Sequence, residues 1–294
     1  MNQQQSICSQ AREKTRAKRA ATQVFSFFTL RAAAFVNCAA LVIACVFLFV
    51  NGIGALDIEF VLDSPREMMT SGGVFPCLVG TFLLAAGAIA IALPFGVACA
   101  VWLNEYGKQG PVVDIVRLSV ANLAGVPSIV FGLFGLAFFV TALGFNVSLL
   151  SGILTLAVLT LPVIINTTEE ALKQVPRSWR DASLALGATK SQTIGRIVLP
   201  SALPGILTGA ILAVARAAGE TSAVMFTAAV FYTPKLPESV WSSVMALPYH
   251  MYVLATAGTE IEKTRPMQYG TGLLLVVLVF AILIRDKMQK KRLA

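Results

Sequence analysis

Long apolar stretches constrain this chain more than any other feature of its sequence. A transmembrane helix needs about 20 consecutive apolar residues to cross a hydrocarbon core roughly 30 Å thick. Six such helices are predicted, at 32–53, 75–103, 113–143, 147–166, 202–231 and 269–284. Of the 294 residues, 56% are hydrophobic and only 13% are charged, whereas soluble proteins carry about 25% charged residues. Too few polar residues remain to cover a water-facing globule, so the sequence excludes a soluble enzyme and predicts an all-α integral membrane protein.

The distribution of charge predicts how these six helices are oriented. The net charge is +8, and basic residues gather before the first helix and after the last one. In membrane proteins Lys and Arg accumulate on the cytoplasmic side. Both termini are therefore predicted to be cytoplasmic, which requires an even number of crossings. The acidic loop 54–74 then lies outside and the basic loop 167–200 inside, in agreement with the same rule.

These predictions divide the chain into three parts. Residues 1–31 form a cytoplasmic tail, residues 32–284 a six-helix transmembrane domain that contains the loop 167–200, and residues 285–294 a basic cytoplasmic tail.

Segment 240–256 is apolar enough to suggest a seventh crossing. However, Pro248 and His250 interrupt it, and a seventh crossing would move one basic terminus outside. We therefore interpret this segment as an external interfacial or re-entrant helix.

Sequence signatures of catalysis, metal binding and nucleic-acid binding are missing. Neither HExxH nor GxSxG occurs, and the single histidine, His250, has no carboxylate or second histidine at ligand spacing. The five cysteines contain no CxxC pair, and no basic segment is interleaved with aromatic residues as in nucleic-acid binding proteins. In the string 187–191, Thr189 stands where a phosphate-binding loop needs glycine. The sequence predicts no metal, no cofactor and no ATP site in this chain, so any ATP is used by another subunit.

The cytoplasmic loop 167–200 is the most informative segment for function. It is long for a connection and mixes charge with helical periodicity. Gly187 is predicted to end a short helix, since glycine commonly follows a helix C-cap. Periodicity alone leaves two interpretations open. The helix either lies on the inner leaflet as an amphipathic helix or docks into a groove of a motor subunit.

The spacing of residues within this loop resembles a family motif. Permeases of binding-protein-dependent ABC importers carry the triplet EAA, three residues, Gly, nine residues, Ile, one residue and Leu-Pro. This chain has the same spacing, with Asp and Ser replacing two residues of the triplet. The matching positions are Asp181, Ala182, Ser183, Gly187, Ile197, Leu199 and Pro200. The resemblance implies a MetI-like ABC importer permease bundle of six transmembrane helices, in which these residues and Leu186 couple the permease to its ATPase.

The fifth predicted helix contains two ionisable residues deep inside the membrane. Arg216 lies about 22 Å from the start of that helix at 1.5 Å per residue, beyond the midplane of the core. Glu220 follows at i+4, so the two side chains share a face and can neutralise each other. One interpretation is a functional site, because ionisable residues within a bilayer are costly; the other is an ion pair that holds helices together.

Small residues recur at every fourth position of this helix and predict close helix packing. They are Gly205, Gly209, Ala213 and Ala217.

Three segments also resemble the phosphate importer permeases of the PstA and PstC type. They are the residues 125–133, 161–176 and 216–221. The resemblance implies a set of residues along the substrate path, namely Arg216, Glu220, Gly219, Thr221, Pro127 and Ser128. The planar donor fork of a guanidinium group suits phosphate oxygens. For Pro127, a plain proline kink in a transmembrane helix is the alternative.

The same resemblance implies what the chain assembles with and where. It implies half of a translocation path for inorganic phosphate in the bacterial inner membrane. The implied partners are a homologous second permease, two ATP-binding cassette subunits and an extracytoplasmic phosphate-binding protein. Two alternatives stay open: the same architecture serving another oxyanion, such as phosphonate, sulfate or molybdate, and a secondary transporter that uses Glu220 as its proton carrier.

Overall fold

A computed structural model describes residues 2–108, 110–257 and 261–293 of the chain. The chain divides into two compact units, Met1–Asn51 and Gly52–Ala294, and we describe each by itself. The first unit is the main part of one helix, α1 (Asn2–Gly52). Neither proline nor glycine occurs from residue 2 to residue 51, so no residue in this stretch breaks the helix. As a result, α1 runs through the predicted tail and the first predicted span without an interruption.

The described part of the second unit is mostly helical. In chain order its helices are α2 (Ile58–Leu62), α3 (Phe75–Val101), α4 (Pro111–Gly125), α5 (Ser128–Gly135), α6 (Leu149–Gln174), α7 (Arg177–Ala185), α8 (Lys190–Thr193), α9 (Leu199–Ala218), α10 (Ser222–Thr227), α11 (Leu247–Thr256) and α12 (Ile261–Leu293). Segments of π-helix follow α3 (Trp102–Tyr106), follow α5 (Leu136–Ala142) and precede α9 (Ile194–Val198). A short antiparallel hairpin between α2 and α3 pairs β1 (Pro65–Arg66) with β2 (Ser71–Gly72).

Five helices in the described ranges are long and apolar enough to cross a membrane. They are Ser26–Ala55, Phe75–Tyr106, Leu149–Gln174, Lys190–Ala218 and Thr264–Arg285. A pair of shorter helices, Pro111–Gly125 and Ser128–Ala142, passes the same test jointly but bends by 102°. Counted as one span, this pair completes the predicted six. The all-α membrane fold is therefore confirmed.

Helix α6 lies at the centre of the second unit, between α3 and α9. Glycines allow these three helices to approach closely. A Cβ atom added at Gly96 of α3 would lie 2.6 Å from the side chain of Ile164, and one at Gly205 of α9 would lie 2.6 Å from Cβ of Ala171. Ala213 of α9 is fully buried in the same core. These contacts confirm the small-residue packing face that the sequence predicts for the fifth helix.

The third predicted helix, 113–143, is interrupted by a sharp break. Helix α4 ends at Gly125, Val126 is extended with φ −73° and ψ 132°, and α5 begins immediately after Pro127. Proline has no N–H to donate to the preceding turn, and it favours extended backbone at the residue before it. The prediction of one continuous helix is therefore wrong. A bend of 102° also exceeds a plain proline kink.

The fifth predicted helix, 202–231, begins and ends elsewhere in the structure. Helical backbone starts at Lys190 and ends at Ala218, with Gly219 as the C-cap. Glycine has low helix propensity and commonly ends helices. Glu220 therefore lies beyond the end of α9. The prediction that Arg216 and Glu220 share one helical face is wrong.

Segment 240–256 does not cross the membrane as a seventh helix. Its helical part, α11, has only 10 residues, which span about 15 Å at 1.5 Å per residue. The start of α11 and the residues before it pack against the bundle. Val244 forms a parallel bridge with Ala229, and the amide of Leu247, the first residue of α11, donates a hydrogen bond of 2.8 Å to Oγ1 of Thr81 in α3. The prediction that this segment is no crossing is confirmed.

Candidate functional site

The loop after α6 forms the compact helix α7, and a glycine closes it. Leu186 is the C-cap of α7, and Gly187 follows with φ +84°. The amide of Gly187 donates a 3.0 Å hydrogen bond to the carbonyl oxygen of Leu184. Glycine adopts this left-handed conformation without steric cost, and it satisfies a carbonyl group at the helix end. The prediction that Gly187 ends a short helix is confirmed.

The residues that match the importer motif on α7 do not all face outward. In and directly after α7, four of the predicted coupling residues are exposed, namely Asp181, Ala182, Leu186 and Gly187. Leu186 is exposed to 90%, although it is apolar. Ser183, in contrast, is buried, and its hydroxyl lies 2.9 Å from Oγ1 of Thr193 in α8. The exposed residues thus form a surface at the end of α7, while Ser183 holds α7 and α8 together.

The second half of the motif lies on the helical path that leads into α9. Ile197 and Leu199 are half-buried, whereas Pro200 is exposed in the first turn of α9. Helical backbone continues from Lys190 through the π-segment into α9, and this path lacks one backbone donor at Pro200, because proline has no N–H. Pro200 and Trp179 of α7 line an open cavity of about 460 Å³. Through Pro200 the motif therefore borders a cleft between the end of α6, α7 and the start of α9.

Two ion-paired carboxylates at this end of the bundle are not predicted from the sequence. Glu105 pairs with Arg180 of α7 at 2.7 Å. Glu169 of α6 forms ion pairs with Arg117 of α4 at 2.8 Å and with Lys173 at 2.9 Å. Each carboxylate lies at or near the end of an apolar run, where an unpaired charge is costly. This position could have predicted from the sequence that each carboxylate has a basic partner. The sequence does not show which basic residue that partner is.

Arg216 lies near the end of α9 on a face that the rest of the chain leaves open. It is exposed, as is Leu212 one turn earlier. The four ion pairs among the described residues do not include Arg216 or Glu220. Glu220 is half-buried. The guanidinium group, whose planar donor fork has the shape that suits an oxyanion, is therefore exposed and outside the ion pairs of the described residues.

The remaining substrate-path residues predicted by resemblance flank the two helix breaks. They are Pro127 directly before α5 and Ser128 at its first position, and Gly219 and Thr221 before α10. Helices α5 and α10 pack tightly, since a Cβ atom added at Gly132 of α5 would lie 2.8 Å from the carbonyl oxygen of Ser222. Val126, Ala218 and Ala223 belong to or pack against one apolar cluster. The fold therefore brings the two breaks, which are far apart in sequence, to one region of the core.

His250 of α11 is buried within the second unit. It is 1% exposed, and neither ring nitrogen has a hydrogen-bond partner among the described residues. Burial lowers the pKa of His250 to about 4, because a low-dielectric surrounding disfavours the charged form. The ring is therefore neutral at pH 7. No group of three or more His, Cys, Asp or Glu side chains within the described ranges is arranged to hold a metal ion.

A family model described as "Binding-protein-dependent transport system inner membrane component" matches residues 92–293. The match covers more than half of the chain, both helix breaks and the whole loop 167–200. The chain belongs to this family. As a member, it is a permease component of the MetI-like fold, so the family and the fold that the motif spacing predicts are confirmed.

Individual family members are similar to this chain over most of its length. The probable ABC transporter permease protein YqgI of Bacillus subtilis (strain 168) is 32% identical over 266 residues, which cover 84% of this chain and 90% of that protein. The phosphate transport system permease protein PstA of Mycobacterium leprae (strain TN) is 40% identical over 219 residues, which cover 74% of this chain and 70% of that protein. The predicted resemblance to phosphate permeases is confirmed.

A solved structure supports the fold independently of sequence. A chain in the crystal structure of a bacterial alginate ABC transporter, in complex with an alginate pentasaccharide-bound periplasmic protein, superposes with a TM-score of 0.64. The alignment covers 90% of this chain and 95% of that chain at 12% sequence identity. At this identity the likeness shows the shared permease architecture alone.

Proposed function

We propose that this chain is the permease subunit of an ATP-driven importer of inorganic phosphate in the bacterial inner membrane. The observation that carries the proposal is its 40% identity with the phosphate permease PstA of Mycobacterium leprae over 219 residues. The chain has no catalytic residues of its own in this proposal. It forms half of the translocation path, and separate subunits hydrolyse ATP.

The exposed end of α7 supports docking of an ATPase subunit. Leu186 is exposed to 90% and Leu184 to 48%, and exposed leucine side chains are unfavourable in water. A helix that presents apolar side chains at its surface suits a complementary groove. We therefore assign this surface to one of two ATP-binding cassette subunits. A homologous second permease and an extracytoplasmic phosphate-binding protein complete the proposed assembly, with the basic termini of this chain in the cytoplasm.

The position of Arg216 supports an anionic substrate. Phosphate carries between one and two negative charges at pH 7, and moving an uncompensated charge into hydrocarbon is strongly unfavourable. Arg216 is exposed on α9 and free of the described ion pairs. In the proposed complex the open face of α9 borders the path, and Arg216 compensates the charge of the passing ion.

Uptake by membrane vesicles that contain the whole complex tests the substrate and the energy source. We expect labelled phosphate to accumulate when ATP and the binding protein are supplied. An equal concentration of sulfate or molybdate should not compete, and an uncoupler that collapses the proton gradient should leave the rate unchanged. Competition by sulfate or molybdate would assign another oxyanion. Loss of uptake with the uncoupler would favour a secondary transporter.

Neutralising the charges near the end of α9 tests the proposed path. We expect the double variant Arg216→Gln with Glu220→Gln to assemble at near-normal levels and to lose phosphate uptake by about tenfold or more, the scale of a lost charge-assisted hydrogen bond. Arg216→Gln alone should behave similarly. Arg216 takes part in none of the described ion pairs, so its replacement leaves no carboxylate without a partner. Arg31→Gln, which removes another exposed arginine, is the matched control. Wild-type uptake by the double variant would contradict a role for Arg216 in the path.

A further inference from the structure

The last turn of the second span differs from an ordinary helix end. The chain winds as π-helix from Trp102 to Tyr106 after α3. Single π-turns within α-helices are rare and occur frequently at functional positions. Two consecutive side chains of this turn, Glu105 and Tyr106, contact the loop after α6. Each of them reaches a different side of the Gly187 turn.

Glu105 holds the side of the loop that precedes Gly187. Its Oε1 accepts a hydrogen bond of 2.7 Å from Nη2 and another of 3.2 Å from Nε of Arg180 on α7. Only 8% of the Glu105 side chain and 17% of the Arg180 side chain are exposed. The same guanidinium group donates to the carbonyl oxygens of Val175 at 2.7 Å and Leu172 at 2.9 Å, which lie at the end of α6. One arginine side chain therefore joins α3, α6 and α7.

Tyr106 holds the side of the loop that follows Gly187. The Nζ atom of Lys190 lies 5.1 Å from the centroid of the Tyr106 ring, within the distance of a cation–π interaction. Lys190 is the first residue of α8, and helical backbone continues from it to the end of α9. The end of α3 is thus attached to α7 through Glu105 and to the α8–α9 path through Tyr106.

Helix α7 has few other means of keeping its position. Ser183 is its single buried residue within the described structure, so little apolar packing fixes α7 against the bundle. Buried charge-assisted hydrogen bonds are directional and stronger than neutral ones. The position of α7 relative to α3 therefore depends strongly on the Glu105–Arg180 pair.

We propose that Glu105 and Arg180 are positioning residues that transmit movement of the coupling helix to the second membrane span. When an ATPase subunit moves α7, the ion pair and the Tyr106–Lys190 contact make the end of α3 move with it. The inference rests on the proposed function, because it assumes that an ATPase docks on α7. Neither residue touches the substrate or ATP in this proposal.

The first test asks whether the pair fixes α7, and it needs neither ATPase nor phosphate. In the full chain with its own cysteines replaced by alanine, spin labels are attached to cysteines introduced by Leu186→Cys on α7 and Phe95→Cys on α3. Both positions are exposed. We expect Glu105→Gln to broaden the distribution of distances between the labels. Arg66→Met, which breaks the ion pair of 2.9 Å between the exposed Arg66 and the half-buried Asp63, should not broaden it. An unchanged distribution in Glu105→Gln would overturn the proposal.

The second test asks whether the pair transmits movement in the assembled complex. We expect Glu105→Gln to retain the ATPase subunit and to hydrolyse ATP, while the amount of solute transported per ATP falls about tenfold, a typical allosteric coupling. The charge-exchanged variant Glu105→Arg with Arg180→Glu should recover part of the ratio that either single reversal loses. Equal ratios in wild type and Glu105→Gln would overturn the proposal. If the wild-type complex moves another solute, the proposed substrate fails, but the ratio measured with that solute still tests the link.

Discussion

At the scale of single residues, Gly187 shows how one backbone conformation sets the exposed end of α7. Its φ of +84° is left-handed, yet a Cβ atom added there would meet nothing within 4 Å. The requirement for glycine is therefore a matter of backbone conformation and not of space. A left-handed conformation costs an ordinary L-residue about 1–2 kcal/mol, and a β-branched residue tolerates it poorly.

We expect Gly187→Val to leave the chain inserted in the membrane and to uncouple the complex. The strained turn should displace Leu186, so the complex should hydrolyse ATP without phosphate uptake or lose its ATPase subunit. Uptake, hydrolysis and co-purification of the ATPase are the measurements. Gly187→Asn is the matched control, because asparagine adopts the left-handed region more readily than other non-glycine residues, and it should retain most of the uptake. Normal uptake by Gly187→Val would remove this turn from the coupling mechanism.

At the scale of elements, contacts at glycine residues decide how closely the helices approach one another and how closely the segment 240–246 approaches α3. Gly80 of α3 faces the backbone of Met245, and a Cβ atom added at Gly80 would collide with the carbonyl oxygen of Met245. The neighbouring amide of Leu247 is already bonded to Oγ1 of Thr81. Backbone cannot move aside as a flexible side chain can, so this contact fixes the segment against α3.

We expect Gly80→Ala to destabilise the protein by about 1–3 kcal/mol, the usual cost of overpacking. The measurement is the midpoint of thermal unfolding in detergent. Gly54→Ala is the matched control, because a Cβ atom at Gly54 would meet nothing within 4 Å, and its midpoint should remain close to that of the wild type. Equal midpoints for the two variants would show that the segment 240–246 is not held tightly against α3.

At the scale of the whole molecule, the bent pair α4 and α5 decides the topology. Five helices of the described chain can cross a membrane alone, and the bent pair makes a sixth only if it spans as a unit. Five crossings would place the two ends on opposite sides. The basic residues at both ends favour six crossings, because Lys and Arg accumulate in the cytoplasm.

We therefore expect both termini and the loop 167–200 to be cytoplasmic and the loop 54–74 to be outside. Reporter fusions check this: a fluorescent protein at the C-terminus should fluoresce, and alkaline phosphatase at the same position should be inactive. Alkaline phosphatase inserted at 57–66 should be active and serves as the control. An active phosphatase at the C-terminus would mean an odd number of crossings, with the bent pair returning to the side from which it entered.

The sequence predicted the features that depend on composition and local spacing. Apolar length predicted the membrane spans, because the thickness of the bilayer sets the length of a helix that crosses it. The spacing of Asp181, Gly187 and Pro200 predicted the family, and Gly187 ended α7 as expected. These inferences needed no knowledge of which helices are neighbours.

Only the tertiary structure decided which distant residues meet and where the helices break. Arg216 and Glu220 have the right spacing for one helical face, but α9 ends at Ala218 and leaves Glu220 outside the helix. Glu105 and Arg180 are 75 residues apart in sequence and form a partly buried ion pair between the end of the second span and α7. Periodicity describes the neighbours of a residue along its own helix, and ion pairs between helices depend on how those helices pack. For this reason the sequence by itself determined the architecture and the family, and the folded chain determined its charge contacts.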